Sequence, residues 1–187
     1  MRAADVDILM VPGWTGSGPD HWQTRWEAKL KTARRVHQEN WHVVDQSQWT
    51  NRLLETIAFA TRPVVLVAHS CGVPTVVHAA PRIMDGKVIA AFLVAPASEA
   101  ASQGIPGMDP AFTPYPRDLL PFPSLLVASR TDEHCAYDAA GDMALAWGST
   151  LVDAGDAGHL NTASGHGPWP EGVMRLATFL QQLGPAR

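Results

Sequence analysis

The sequence predicts an α/β fold in which a parallel β-sheet is covered by helices on both faces. Three runs, at residues 6–11, 64–68 and 88–95, are almost entirely apolar, too short for helices, and suited to strands buried on both sides. Weaker strand patterns lie at 34–38, 124–129 and 150–153, which brings the expected number of strands to six. Helical patterns separate most of the strands, and such alternation is typical of parallel sheets.

The composition fits one globular domain, residues 1–187, with a full hydrophobic core. Hydrophobic residues make up 46% of the chain and charged residues 17%, which argues against disorder. The net charge of −4 is scattered along the sequence. We therefore expect no nucleic-acid partner and no attraction to an anionic membrane.

The cysteines and the N-terminus bear on location. Cys71 and Cys135 are too few for a disulfide framework, and a reducing cytoplasm is the default for such a chain. Two acidic residues precede or interrupt the first apolar run, which a signal peptide would not show. The apolar runs also fall well short of a membrane span. We expect a cytoplasmic protein.

The first strand ends in a glycine-rich loop, residues 12–19, that matches neither the phosphate-binding P-loop nor the G-x-G-x-x-G spacing. Such a loop can instead turn its backbone N–H groups toward an active site. The helix expected at 21–31 carries an apolar stripe that includes Trp22 and Trp26. We interpret the stripe as core packing, with its first residues, from His21, closest to the loop and to any pocket there.

The remaining helices are expected at residues 48–60, 73–80, 136–147 and 170–183. Between the fourth and fifth strands, residues 96–123 lose all periodicity and hold seven prolines. A structureless segment of this length in a compact domain is usually functional, although it can also be an irregular surface crossing, and both interpretations stay open here. As a lid or pocket wall, the segment would present Ile105, Met108, Phe112 and Tyr115.

Ser70 lies where a buried strand meets a helix, in the sequence Ala68-His69-Ser70-Cys71-Gly72. A serine flanked by small residues at a tight strand-to-helix turn is the nucleophile elbow, which exposes the hydroxyl group. Ala68 replaces the first glycine of the usual G-x-S-x-G pattern, and Gly72 holds the last. The pattern is short, so by itself it also fits an ordinary strand-turn-helix with an incidental serine.

Two further groups with suitable chemistry follow strand ends. Asp132 comes after the fifth expected strand, and His159 comes after the sixth. The carboxyl ends of parallel strands share one edge of the sheet, so both side chains should lie near Ser70. The chain order Ser-Asp-His is that of α/β-hydrolases. We therefore predict Ser70 as nucleophile, His159 as general base and acid, and Asp132 as the carboxylate that orients the histidine.

Other histidines and acids in the sequence are weaker candidates for these roles. The rival bases are His69, which should point away from Ser70, His78 in the elbow helix, His134 beside the acid, and His166. The rival acids are Asp153 and Asp156, which lie shortly before His159.

An acyl-transfer site also needs two backbone N–H donors for the developing oxyanion. The predicted donors are Cys71, directly after the nucleophile, and Trp14, in the loop after the first strand. The thiol of Cys71 is interpreted as packing and not as a nucleophile. The candidates for the substrate pocket are Gly13, Thr15, His21 and Trp22.

Five motifs, in order and over nearly the full length, make the chain resemble the small serine hydrolases related to retinoblastoma-binding protein nine, also called YdeN-like. The motifs are Pro12-Gly-Trp-Thr-Gly-Ser, His21-Trp22, His69-Ser-Cys-Gly72, Ser129-Arg-Thr-Asp132 and Gly158-His-Leu-Asn161. The resemblance implies a compact α/β-hydrolase fold without a large cap domain, and we expect six parallel strands in the order 2-1-3-4-5-6. It also implies a catalytic triad at Ser70, Asp132 and His159.

The sequence thus predicts a carboxylesterase-like serine hydrolase that cleaves small esters, or amides, through an acyl-enzyme on Ser70. We expect no cofactor and no metal, a small-molecule substrate as the partner, and a monomer or small homo-oligomer. The alternative is an α/β-hydrolase fold kept as a protein-interaction module without turnover. A retained set of three catalytic groups argues against that alternative.

Overall fold

The structure, a computed structural model, describes residues 1–83 and 86–184. The predicted domain of residues 1–187 therefore includes residues 84–85 and 185–187, which lie outside the described ones. The sheet has six parallel strands in the order β2-β1-β3-β4-β5-β6. The α/β architecture and the strand order expected from the sequence are both confirmed.

The strands are β1 (Asp7–Val11), β2 (Ala33–Arg35), β3 (Val64–Ser70), β4 (Val88–Pro96), β5 (Ser124–Ala128) and β6 (Thr150–Asp153). The helices are α1 (Trp22–Lys29), α2 (Gln46–Ala58), α3 (Gly72–Ala79), α4 (Glu99–Gln103), α5 (Tyr137–Trp147) and α6 (Pro170–Gln182). Within the described chain no helix is both long and apolar enough to cross a membrane.

The central strands are apolar on both faces because a layer of helices covers each face. Along β1, Leu9 and Val11 pack into one core cluster with side chains of α2, α3 and α5, while Ile8 and Met10 pack into a second cluster with α1 and α6. The second cluster includes Trp22, Trp26, Trp169, Leu176, Phe179 and Leu180. The apolar stripe of α1 is thus core packing, as predicted.

The segment between β4 and β5 is more ordered than the sequence indicates. It contains α4 and a single 3₁₀ turn, Pro110–Phe112. Helix α4 begins at the N-cap Ser98, whose hydroxyl accepts a hydrogen bond from the backbone N–H of Ala101. A helix of five residues is too short to show a 3.6-residue period, so the pattern could not predict it.

Two aromatic residues assigned to a pocket wall are core residues instead. Phe112 packs against Val44 and Trp49, and Tyr115 lies in the larger core cluster with its hydroxyl bonded to Ser102. The segment therefore runs along the surface, and two of its aromatic side chains, Phe112 and Tyr115, attach it to the core beneath.

The approach of α3 to β1 generates a stability prediction. An added Cβ at Gly72 would come to 2.1 Å from the carbonyl oxygen of Val11, which is backbone and cannot move aside. We expect Gly72→Ala to lower the free energy of unfolding by about 1–3 kcal/mol or to prevent folding. Gly141→Ala, in the middle of α5, meets only a side-chain carbon at 3.8 Å and should be neutral or stabilising by about 0.5–1 kcal/mol. Urea denaturation monitored by tryptophan fluorescence measures both, and equal effects would contradict the tight contact at Gly72.

Candidate active site

Ser70 is the last residue of β3, and α3 begins two residues later at Gly72. Its backbone has a φ of 54°, in the left-handed region that residues with a Cβ rarely adopt. The ladder between β3 and β4 also shifts register between His69 and Ser70. The chain therefore reverses sharply at Ser70 and lifts its side chain out of the sheet, as a nucleophile elbow requires.

The loop after β1 packs closely against this turn. An added Cβ at Gly13 would lie 2.9 Å from the Cβ of Ser70 and 3.0 Å from the backbone nitrogen of Cys71. Gly13 and Gly72 thus lie on the two sides of one close contact, between residues 11–13 and the elbow, at distances that no larger residue permits. The same packing fixes where the Ser70 hydroxyl can lie.

The structure brings Ser70, His159 and Asp132 into one hydrogen-bonded chain. Nε2 of His159 is 2.9 Å from Oγ of Ser70, and Nδ1 of His159 is 2.9 and 3.0 Å from the two carboxylate oxygens of Asp132. The side chains of His159 and Asp132 are only 6% and 2% exposed. The backbone N–H of His134 donates a further hydrogen bond to Asp132. In this geometry the histidine can accept the serine proton while the carboxylate holds the ring.

Loops at the carboxyl ends of β5 and β6 position the acid and the histidine. The hydroxyl of Ser129, directly after β5, accepts hydrogen bonds from the N–H groups of Thr131 and Ala157. It also donates to the carbonyl of Gly155. One buried serine thus fastens the Asp132 loop to the His159 loop, and this keeps the acid and the imidazole in register.

Three of the rival groups, Asp153, His166 and His78, form side-chain hydrogen bonds with other residues and not with Ser70. Asp153 pairs with Arg130 across the ends of β5 and β6, at 2.8 Å from Nε. A hydrogen bond from the backbone N–H of Gly155 and the Arg130 guanidinium together lower the pKa of the Asp153 carboxyl. His166 contacts Ser164, and His78 contacts the carbonyl of Phe112.

The two backbone N–H groups proposed as oxyanion donors lie on the two segments that meet at Gly13. In the described part of the chain, neither Trp14 nor Cys71 donates its backbone N–H to an oxygen or nitrogen acceptor of the protein. Burial raises the pKa of the Cys71 thiol, an effect opposed by the neighbouring Trp14 N–H and the Ser102 hydroxyl. The thiol therefore stays protonated, and its sulfur, a weak acceptor, is the one protein group that these two N–H groups face in the described chain.

Ser70 and His159 open into a cleft of about 660 Å³. Of the predicted pocket residues, Gly13, Thr15 and His21 line it together with Trp14. Trp22 does not, because its ring is fully buried and its indole N–H donates to the carbonyl of Leu160. The helical period explains the difference: the side chain of the residue after His21 turns into the core.

One wall of the cleft is formed by the end of β4 and by α4. Its residues are Ala97, Ala100, Ala101, Gly104, Ile105 and Pro106. Ile105 is the predicted wall residue that lies there, whereas Met108, Phe112 and Tyr115 are not among the lining residues. The wall is apolar and built from small side chains.

His69 is a structural contributor that the sequence analysis did not identify. Its Nε2–H donates to the backbone carbonyl of His159 at 2.9 Å, and its ring centroid lies 4.9 Å from the His159 ring. Burial holds the pKa of His69 well below its usual range, so the ring is neutral. A contact with the backbone carbonyl of a distant residue has no signal in the local sequence. This role of His69 could therefore not be predicted from the sequence.

Among residues 1–83 and 86–184, no group of three or more His, Cys, Asp or Glu side chains is arranged to hold a metal ion. The site is thus described by its serine, histidine and aspartate together with backbone N–H groups.

A six-stranded parallel sheet of this order, with an elbow serine beyond its central strand, defines the chain as an α/β-hydrolase. The sequence model for the family described as serine hydrolase matches residues 8–178. The chain therefore belongs to the serine hydrolase family. No curated protein matches the sequence.

Solved structures extend this relationship. A protein described as a YdeN-like hydrolase of Pectobacterium atrosepticum has 32% sequence identity and a TM-score of 0.85, over 97% of this chain and 94% of that one. The ydeN gene product of B. subtilis has 16% identity and a TM-score of 0.78, over 94% and 99% of the two chains. Thermogutta terrifontis esterase 2 phosphorylated by paraoxon has 17% identity and a TM-score of 0.70, over 98% and 85%. The likeness to YdeN-like hydrolases expected from the motifs is confirmed, while the last two structures show the fold alone.

The contact at Gly13 generates a prediction on activity. Gly13→Ala would force a Cβ against Ser70, and a misplacement of about 1 Å at a reacting group costs on the order of 10²-fold in rate. The matched control is Gly18→Ala, in the same loop and on the same cleft, where an added Cβ meets nothing within 4 Å. We expect kcat for p-nitrophenyl acetate to fall for Gly13→Ala and to change less than about threefold for Gly18→Ala. Similar rates for the two variants would show that the loop does not position the serine.

Proposed function

We propose that this protein is a serine hydrolase that cleaves small, uncharged carboxylic esters through an acyl-enzyme on Ser70. The observation that carries the proposal is the continuous hydrogen-bonded chain from Ser70 Oγ through His159 to Asp132. We expect amides of apolar amino acids to be cleaved more slowly than esters, because an amine is a poorer leaving group than an alkoxide.

The proposed reaction begins when His159 Nε2 takes the proton of Ser70 and the Oγ attacks the ester carbonyl. The negative charge that develops on the carbonyl oxygen is stabilised by the backbone N–H groups of Cys71 and Trp14. His159 then gives its proton to the departing alkoxide, so an alcohol leaves and an acyl-enzyme remains. Water, deprotonated by the same histidine, attacks the acyl-enzyme and releases the acid, with the proton returned to Ser70.

Asp132 acts on the histidine and not on the substrate. Its carboxylate accepts the Nδ1–H of His159, which leaves the lone pair of Nε2 facing Ser70. It also stabilises the imidazolium that forms in each half-reaction.

The lining of the cleft supports the choice of small, uncharged esters. Its apolar wall at α4 can bury an alkyl group, and no lysine or arginine lines the described cleft to pair with an anionic substrate. Burial of an unpaired carboxylate would cost several kcal/mol. The esterase of Thermogutta terrifontis shares the fold and is phosphorylated by paraoxon, which supports an organophosphate-reactive serine at the elbow of this chain as well.

Active-site labelling tests the nucleophile. A fluorophosphonate probe should label the wild-type protein on Ser70, and Ser70→Ala should abolish labelling and lower kcat by on the order of 10⁴–10⁶. Ser47→Ala, which removes an exposed serine on α2, is the control and should label fully. Circular dichroism establishes that each variant is folded. Retained labelling of Ser70→Ala, with mass spectrometry locating the adduct on Cys71, would overturn the assignment.

Substrate size is tested with p-nitrophenyl esters from acetate to palmitate. At about 660 Å³ the cleft lies within the range of about 300–1,000 Å³ that is common for small-molecule pockets, so kcat/KM should peak at a short or medium acyl chain and fall for the longest. A succinate monoester, with its added carboxylate, should be a poor substrate in the same series. A rate that climbs steadily to palmitate, or one highest for the charged acyl group, would contradict the proposed substrate class.

A further inference from the structure

His21 closes the glycine-rich loop and begins α1. Its Nδ1 accepts a hydrogen bond from the backbone N–H of Gln23 at 3.2 Å, which makes it the N-cap of the helix. A neutral imidazole carries one proton, and the nitrogen that accepts a hydrogen bond cannot be the one that bears it. The cap therefore fixes the tautomer of His21, with the proton on Nε2.

The surroundings of His21 keep its ring neutral. The residue is 5% exposed, and burial, reinforced by the charge of Arg35 and by the proximity of His159, lowers its pKa to about 4. The rings of His69 and Trp22 pack on it, at centroid distances of 4.8 and 5.3 Å, and neither is charged. Across the neutral pH range His21 is thus an uncharged hydrogen-bond donor of fixed orientation.

That donor is open to the cleft. His21 is one of the residues that line it, and Nε2 has no hydrogen-bond partner among the described residues. Nε2 is not a fully buried atom, so it retains surface that is accessible to solvent or to a ligand. A donor held this rigidly at the edge of the cleft is satisfied by water or by a ligand.

A second uncharged donor, the side-chain amide of Asn161, lies on the same cleft. Oδ1 of Asn161 accepts the backbone N–H of Ser164, which leaves the NH₂ group of Asn161 without an assigned acceptor in the described chain. The wall formed by the end of β4 and by α4 belongs to the same cleft and is apolar. The cleft thus has one wall that buries alkyl groups and one that offers uncharged N–H donors.

We propose that the Nε2–H of His21 binds an uncharged acceptor oxygen of the substrate that lies beyond the scissile carbonyl, such as an ether, keto or hydroxyl oxygen. The inference rests on the proposed esterase function and narrows it: the preferred substrates are oxygenated esters and not plain alkyl esters. A neutral donor binds such an oxygen without the desolvation cost that a charged partner would bring.

Two variants separate the donor from the helix cap. Asn at position 21 can cap α1 through its side-chain oxygen, as His21 does through Nδ1, but is too short to place a donor where Nε2 lies. Gln can place its amide nitrogen near Nε2 but is a poor cap. His21→Asn therefore removes the donor and keeps the cap, and His21→Gln does the reverse. Thr162→Val, a nearly isosteric change of a different lining residue, which is exposed, is the matched control.

Two substrate pairs that differ only by exchange of CH₂ for oxygen serve as probes. On the acyl side the pair is p-nitrophenyl pentanoate and p-nitrophenyl β-methoxypropanoate. On the alcohol side it is butyl butanoate and methoxyethyl butanoate. For each pair the measured quantity is the ratio of kcat/KM for the oxygenated ester to that for its alkyl isostere, divided by the ratio of their rates with hydroxide.

The wild-type protein and Thr162→Val should favour the oxygenated ester of one pair by roughly 3- to 10-fold, the range expected for one neutral hydrogen bond. His21→Asn should bring the ratio to about one, because it lowers kcat/KM for the oxygenated ester more than for the alkyl isostere, and His21→Gln should keep most of the preference. The pair that responds shows whether the acyl or the alcohol side faces His21.

The outcomes distinguish this inference from the proposed function. If no ester is hydrolysed, the proposed function fails. If alkyl esters are hydrolysed but neither pair shows a preference, or if His21→Asn lowers both members of a pair equally, the esterase proposal stands and the role of His21 is refuted.

Discussion

The left-handed turn at Ser70 is the constraint on which the rest of the site depends. A residue with a Cβ at a φ of 54° carries a conformational cost of about 1–3 kcal/mol, and the surrounding packing must offset it. Gly13 and Gly72 provide this packing, since between them the end of β1 and the elbow meet without intervening side chains. The same turn directs the backbone N–H of Cys71 to the side of the serine. The turn thus places the proposed nucleophile next to the residue proposed as an oxyanion donor.

Buried side chains then connect the loops that converge on this turn. The amide of Gln23 donates to the carbonyl of Val67 at 2.9 Å, and its oxygen accepts the hydroxyl proton of Ser17. His69 performs a similar function between the elbow strand and the His159 loop, and Ser129 connects the loops after β5 and β6. Each of these polar groups is buried and would be costly to leave unpaired. Together they make the edge of the sheet a rigid frame and not a set of independent loops.

The sequence was informative where a residue's position follows from a single strand. Short apolar runs and weaker strand patterns predicted all six strands, and the rule that ligands bind beyond their carboxyl ends placed Ser70, Asp132 and His159 at one edge. The short helix α4 could not be predicted, because about one and a half turns show no helical period. Trp22 and Tyr115 were wrongly expected at the pocket, because an apolar residue can face either the core or a cleft. The order of apolar and polar residues in the sequence does not decide between the two. His69 was missed for a third reason: its partner is a backbone carbonyl ninety residues away.

The arrangement of histidines also bears on how the site can work. The rings of His21, His69 and His159 form a row with successive centroid distances of 4.8 and 4.9 Å. Two unit charges about 5 Å apart repel by about 3 kcal/mol at an effective dielectric constant near 20, so a charged His69 would strongly oppose protonation of His159. Burial prevents this, because it depresses the pKa values of both His69 and His21, while His159 alone has a carboxylate partner. The neutral neighbours therefore leave His159 as the one ring in the row that can take up the serine proton and hold it next to an anion.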